Sequence, residues 1–250
     1  MKGKLFISIL LICSIFILNP VFSQDEPEKE IEDVYLQNPE LMMIEKQVYS
    51  GDRYTQLEAL ESIEIFLNEK RPGEQDDDEP LQPIDPNEIP PQIEEMLLHL
   101  GSQGTFIVAK RGNLVVNDFP EVRRKACEIL GWVRTENSKA YLIKFLRDDD
   151  EPMVKAEAAW ALGEFARYEG DDDGSITQAL ARVIDREKVD NPDNNLAYAV
   201  VLSFEKISEM HNNSLPHPNG YIALIQIAQG NYINTVTKKA LEVIQGLGKK

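Results

Sequence analysis

The chain has 250 residues, with 26 Lys and Arg against 43 Asp and Glu for a net charge of −17, and 42% of its residues are hydrophobic. That length suffices for one large core or a repeat array, and so acidic a balance repels nucleic acid and anionic lipid headgroups, which excludes both as general partners. The acidity is uneven: residues 24–117 hold 7 basic and 22 acidic groups, a net of −15, whereas residues 118–250 hold 17 and 21, a net of −4.

At the N-terminus, Lys2 and Lys4 precede an apolar run over 5–18, which Asn19 and Pro20 break ahead of Val21-Phe22-Ser23. A positive start, a short apolar stretch and small or tolerated residues at its end are what a signal peptidase reads, so residues 1–23 are predicted to be a signal peptide cleaved near Ser23. The run is too short for a comfortable membrane span. Cys13 follows Ile12 in mid-run, which argues against lipidation. Cleavage leaves Cys127 as the one cysteine, hence no intramolecular disulfide. Extracellular eukaryotic domains usually carry paired cysteines, so the expected location is a bacterial periplasm or the exterior, with no membrane insertion after cleavage.

Residues 24–38 are acidic and weakly apolar, and read as an N-terminal arm. Residues 39–70 read as a degenerate first helical repeat. Residues 71–91 (RPGEQDDDEPLQPIDPNEIPP) combine seven prolines and glycines with a carboxylate cluster. Such a stretch buries too little apolar surface to offset its ordering entropy, so it reads as an acidic linker stiffened by proline. A cation site at Asp76-Asp77-Asp78-Glu79 is the weaker reading, because no other ligands stand nearby.

Residues 92–250 repeat internally. V-R-R-K-A-C-E-I-L-G-W-V (122–133) aligns with V-K-A-E-A-A-W-A-L-G-E-F (154–165) at an offset of 32, and Asp118-x-Pro120 and Asp150-x-Pro152 precede the two at that same offset. Further copies run over 196–207 and 236–247, with an early degenerate one over 55–66. Apolar or small residues recur at relative positions 1, 5, 8, 9 and 12, the stripe of a helix buried on one side. A second amphipathic stretch precedes each copy, over 41–49, 93–100, 140–146, 176–184 and 221–228. The unit is therefore a helical hairpin, present about five times, and stacked neighbours must cover the face that one hairpin leaves bare.

D-x-P-x-V-R/K followed by A-x-x-x-L-G resembles the HEAT repeat, in particular its short bacterial form known from phycobilisome lyases. Asp118, Pro120, Val122, Arg123, Ala126, Leu130 and Gly131 match in one copy, and Asp150, Pro152, Val154, Lys155, Ala158, Leu162 and Gly163 in the next. The later copies keep the apolar frame alone, with Asn194 and Asn234 in place of the proline. The resemblance implies an all-α fold, an α-α superhelix whose second helices line the partner-facing surface. It also implies that Asp118 with Arg123, and Asp150 with Lys155, tie adjacent helices together, and that Ala126 and Ala158 let helices approach.

Residues 102–117 depart from the pattern. T-F-I-V-A-K-R-G-N-L-V-V-N is β-branched and turns at Arg111-Gly112-Asn113, so it reads as a short β-hairpin or extended insertion. It is either a contact element, or a cover in which Phe106, Ile107, Leu114 and Val115 close the solenoid's side.

Chemistry finds little support. His99, His211 and His217 lack metal-ligand spacing, and they are followed by Leu100, Asn212 and Pro218 instead of the glutamates with which HEAT-type deoxyhypusine hydroxylases hold iron. Glu169, Asp171, Asp173 and Gly174 fit the start of a calcium loop, but position 12 is Leu180, so its bidentate carboxylate is missing. No nucleophile elbow, phosphate loop or dinucleotide fingerprint occurs, and Cys127 reads as a buried structural thiol. No catalytic residue, metal or cofactor is expected. Bilin lyase activity, the other suggestion of the family, conflicts with an export signal.

A partner surface is expected on the second helices. Relative positions 3, 7 and 11 bring together Arg124, Glu128, Trp132, Trp160, Glu164 and Tyr198, and Trp, Tyr and Arg dominate interface hot spots. The competing role for Trp132 and Trp160 is to fill gaps between repeats. The reading adopted is a non-catalytic exported scaffold or adaptor that binds protein or peptide through this patch. The alternative is a periplasmic binder of a small molecule or cell-wall fragment in a Trp-lined groove.

Overall fold

The computed structural model describes residues 38–71, 83–186 and 191–249. The predicted signal peptide, nearly all of the N-terminal arm and the centre of the predicted linker lie outside the described residues. The chain divides into two compact units, 1–42 and 43–250. Of the first, residues 38–42 are described and belong to the start of a helix. The second is a stack of helical hairpins.

Ten α-helices form among the described residues: α1 (Pro39–Val48), α2 (Arg53–Asn68), α3 (Pro91–Ser102), α4 (Pro120–Val133), α5 (Glu136–Asp148), α6 (Pro152–Glu169), α7 (Ser175–Asp185), α8 (Asn194–Met210), α9 (Pro218–Gln229) and α10 (Asn234–Gly246). As the periodicity predicts, α3 pairs with α4, α5 with α6, α7 with α8 and α9 with α10. Local signals set their starts. Asp52, Thr135 and Asp193 accept hydrogen bonds from the backbone N–H of Thr55, Ser138 and Leu196, and proline opens α3, α4, α6 and α9. Each device suits backbone N–H groups that have no partner within the helix.

The second helices stack in sequence order. α2 packs on α4, α4 on α6, α6 on α8 and α8 on α10, while the first helices form a parallel outer row in which α3 meets α5, α5 meets α7 and α7 meets α9. This order produces one continuous core. On α4 the predicted stripe of Val122, Ala126, Ile129, Leu130 and Val133 is buried, and so are Arg123, Cys127 and Gly131. The buried arc exceeds the predicted stripe because each inner helix has its own first helix on one side and the next repeat on another. Burial also pushes the Cys127 thiol well above its usual pKa, in keeping with an unreactive packing residue.

The glycines of A-x-x-x-L-G set the spacing of the inner row. A Cβ on Gly131 would stand 3.0 Å from Ala161 Cβ, and one on Gly163 would stand 2.5 Å from Ser203 Oγ and 2.8 Å from Ser203 Cα. Ser203 Oγ in turn lies 2.8 Å from both the Ala159 and the Ala199 carbonyl oxygens, joining α6 to α8 at the crossing.

Of the two predicted charge ties, one forms. Arg123 Nη1 donates to Asp118 Oδ1 at 2.6 Å and to the Gln103 carbonyl at 3.1 Å, and its Nε donates to Asp149 Oδ2 at 2.8 Å. The pairing of Asp150 with Lys155 does not occur among the described residues: Asp150 is exposed, and its neighbour Asp149 is the buried acid. Asp149 ends α5 facing inward and reaches back to Arg123 of the preceding α4, so a first-helix terminus and a second helix are joined, with no copy in the next repeat among the described residues.

The insertion is a β-hairpin. β1 (Lys110–Arg111) and β2 (Leu114–Val115) pair antiparallel, Lys110 against Val115 and Arg111 against Leu114. Asn117 anchors its base, donating to the Ile107 carbonyl at 2.7 Å and accepting from the Ala109 N–H at 2.8 Å. Only Phe106 plays the covering role, 5.8 Å from the Phe145 ring with Lys144 Nζ 3.9 Å from its centroid. Ile107, Val108, Leu114, Val115 and Val116 are exposed, Leu114 at 73%.

The near end of the predicted linker is docked. Ile84 and Ile89 are buried, Pro86–Glu88 forms a short 3-10 turn, and Arg134 Nη2 donates to the Ile84 carbonyl at 2.5 Å. Apolar residues among the prolines give this stretch a foothold that its composition conceals.

Candidate partner-binding groove

Between α4, α6 and the chain on either side of residues 72–82 lies an open groove of about 510 Å³. Its floor comes from Arg124, Glu128, Gly131 and Trp132 of α4, and from Glu157, Trp160, Glu164, Arg167 and Tyr168 of α6; Arg71, Pro83, Ile84 and Arg134 form its wall. Relative positions 3, 7 and 11 face this way because α4 and α6 run side by side and bury their other flanks. Five of the six predicted contact residues therefore share one cavity: Arg124, Glu128, Trp132, Trp160 and Glu164. Tyr198 is exposed on α8 but does not line the groove.

The two tryptophans have unequal surroundings. Trp132 is half-buried, with Arg71 Cζ 4.9 Å and Lys125 Nζ 5.8 Å from its centroid. Trp160 is exposed at 38%, and Lys206 of α8 lies against it, Nζ 3.1 Å from the ring centroid and 2.5 Å from Glu164 Oε1. The ammonium meets Glu164 as an ion contact, off the direction of a hydrogen bond. Lys206, at relative position 11 of the copy over 196–207, is buried at the seam between two repeats. Burial lowers its pKa more than Glu164 raises it.

Arg124 Nη1 bonds Glu157 Oε2 at 3.1 Å across the α4–α6 seam, and Lys125 reaches Glu128 at 3.2 Å and Glu64 of α2 at 2.8 Å. Burial and the nearby Glu128 raise the Glu157 carboxyl above its ordinary range, although Arg124 opposes them. Arg134 takes a left-handed conformation (φ 53°) just past α4, which turns its guanidinium back over the Tyr168 ring at 4.7 Å from the centroid. Such strain in a non-glycine residue persists where surrounding contacts over-determine it, and here the Ile84 carbonyl and Tyr168 do so.

Sequence reasoning missed Arg71, Ile84, Arg134, Glu157, Arg167 and Tyr168. Arg167 and Tyr168 were within reach: α6 runs to Glu169, so the Trp160–Glu164 stripe continues by one turn at i+7 and i+8. Arg71, Ile84 and Arg134 belong to loop backbone that no helical period describes.

The other chemical candidates resolve as structure. Both carboxylate oxygens of Asp171, the centre of the calcium-like pattern, are used at the start of α7, accepting from the N–H groups of Ile176 and Thr177 and from the Thr177 hydroxyl at 2.6–2.9 Å. Among the described residues no group of three or more His, Cys, Asp or Glu is arranged to hold a metal ion, and no helix is long and apolar enough to cross a membrane.

Stacked two-helix modules with a common core and a groove on their second helices define an α-solenoid. The chain carries HEAT repeats: the family profile for HEAT repeats matches residues 112–193, which holds both specific copies. It is similar in fold to a solved chain of the CpcE–CpcF complex of phycocyanin lyase from Nostoc sp. PCC7120, at a TM-score of 0.53 and 15% identity, over 84% of this chain and 65% of that one. At that identity the likeness concerns the fold alone. No curated protein matches the chain.

Proposed function

We propose that the chain is a non-catalytic exported adaptor that captures a protein or peptide in the groove between α4 and α6. The supporting observation is the groove itself, where two tryptophans, a tyrosine and four arginines surround one open trough. Rigid aromatic area with polar handles is the composition of interface hot spots. HEAT repeats commonly serve protein interaction, and the similar lyase chain was solved in complex with another protein. The three glutamates of the trough are each engaged by a cation, which suits a binding role better than acid–base work.

A small-molecule binder is the second reading, favoured by the volume, which falls in the usual range for ligand pockets. The open side weighs against it, because small-ligand sites enclose most of their occupant. Export rests on residues 1–23 and is tested by fractionation: a mature chain starting after Ser23 in the envelope supports it, and a full-length cytoplasmic chain refutes it. For the groove, wild-type, Trp132→Ala and Trp160→Ala chains serve as baits in the native envelope fraction. A partner held by wild type and lost from both variants supports the assignment. A partner held equally by all three refutes it.

A further inference from the structure

Each seam between second helices shows which positions meet the next repeat. Relative position 10 of one copy packs on position 8 of the next, Gly131 on Ala161 and Gly163 on Ser203. The ion pairs follow the same geometry. Arg124 at position 3 of α4 meets Glu157 at position 4 of α6 at 3.1 Å. Glu64 at position 10 of α2 meets Lys125 at position 4 of α4 at 2.8 Å, and Glu205 at position 10 of α8 meets Lys239 at position 4 of α10 at 2.7 Å. Positions 3, 6 and 10, a turn apart, thus form the leading flank of a second helix, and positions 4 and 8 its trailing flank.

The leading flank is bare at α10. Position 6 is Cys127 in α4, Ala159 in α6 and Val201 in α8, each 0% exposed, but Leu241 in α10, exposed at 46%. The first helices agree. Ile176, Leu180 and Val183 of α7 are buried, and so are Gly220, Leu224 and Ile227 of α9 at an offset of 44. At that offset Thr177, against which Gly220 packs, becomes Tyr221, and Ala181 becomes Ile225. Thr177 and Ala181 are buried, whereas Tyr221 and Ile225 are exposed. Terminal repeats of soluble arrays carry a polar outer face, and this one is apolar.

The α2 end supplies the matching flank. Its trailing positions 4 and 8 are Glu58, exposed, and Ser62, half-buried, whereas position 8 is buried in the later copies as Ile129, Ala161, Ser203 and Val243. The charges are complementary: residues 43–70 hold 6 acidic and 3 basic groups, and residues 218–250 hold 4 basic and 1 acidic. Lys238 at position 3 of α10 and Glu58 at position 4 of α2 are both exposed, and they repeat the pattern that Arg124 and Glu157 make across the α4–α6 seam.

We propose that the chain associates head to tail with a second copy of itself, the α9–α10 end of one copy packing on the α2 end of the next, with Ile225 and Leu241 covered and Lys238 paired to Glu58. Such a contact is heterologous, so it continues from copy to copy into a ring or an open filament. The groove residues lie on neither flank, so every copy keeps its groove.

The test is sedimentation velocity of the full chain over roughly 1 µM to 1 mM, the range of a modest interface. Expected are oligomers that grow with concentration. Leu241→Glu and Ser62→Arg should each hold the chain monomeric. An equimolar mixture of the two, which joins one intact end of each kind, should form dimers and nothing larger. Glu58→Lys should weaken association about tenfold or more, and Lys238→Glu added to the same chain should restore it. A wild-type chain that stays monomeric throughout overturns the proposal, and so does a mixture that stays monomeric. Dimers lost in Leu241→Glu but kept in Ser62→Arg would be a symmetric pair of α9–α10 ends, which overturns the head-to-tail arrangement. Association indifferent to both substitutions runs through another surface and overturns it as well.

Discussion

Lys206 of α8 reaches across a repeat boundary to lie against Trp160 of α6, its ammonium 3.1 Å from the indole centroid. One contact thus fixes the ring that dominates the groove floor and joins two repeats. Trp132 and Trp160 are the two tryptophans of the chain, so intrinsic fluorescence reports the groove alone. Lys206→Ala is expected to shift the emission to the red and increase acrylamide quenching, with a loss of roughly 1–2 kcal/mol from the desolvated cation–π contact. An unchanged spectrum and quenching constant would show that Lys206 does not hold the ring.

Arg123 is the charged residue on which the fold most depends. It is buried with Asp149, and its remaining donors go to Asp118 and the Gln103 carbonyl. Removing one partner of such a pair strands the other charge in a low-dielectric setting, so Arg123→Ala or Asp149→Ala should cost about 3–5 kcal/mol. Lys155→Ala, with no matching tie, should cost within about 0.5 kcal/mol. Urea unfolding of the three variants measures the contrast, and equal losses for Arg123→Ala and Lys155→Ala would contradict it.

The same motif shows how far the sequence could be read. The hairpins, their order and five of the residues that line the groove follow from the 3.6-residue period, since burial on a repeat scaffold is local and periodic. The duplication of the Asp118–Arg123 tie at Asp150–Lys155 did not follow, because ion pairing depends on which acid the turn after α5 points inward: Asp149 turns in to Arg123 and Asp150 is left exposed. Arg134 and Ile84 escaped for a related reason. They meet through a left-handed residue and a docked loop, and neither leaves a periodic trace.

Gly163 and Gly246 separate close approach from mere helix placement. A Cβ on Gly163 would meet both the side chain and the backbone of Ser203, whereas one on Gly246 would meet nothing within 4 Å. Gly163→Ala should therefore force α6 and α8 apart at a cost of about 1–3 kcal/mol. Gly246→Ala should stabilise by roughly 0.4–1 kcal/mol through the unfolded chain. Thermal unfolding of both reads the signs directly, and a stabilised Gly163→Ala would show that the seam is looser than the geometry implies.

Acid sensitivity should centre on His99. Its ring packs at a tilt of 56° against Tyr49, centroids 4.5 Å apart, and burial lowers its pKa below the ordinary 6.5. The sign follows from the proton balance. Above pH 6.5 the imidazole is neutral in both folded and unfolded chains, so stability there is independent of this group. As pH falls below 6.5 the unfolded chain takes up the proton first, and stability declines until the pH passes the lower folded-state value. His99→Phe keeps a ring against Tyr49 and removes the titration, so its stability should fall less than that of wild type between about pH 7 and 5, where histidine is the side chain that ordinarily titrates. Parallel curves for the two proteins over that window would mean that His99 takes its proton as readily in the folded chain as in the unfolded one.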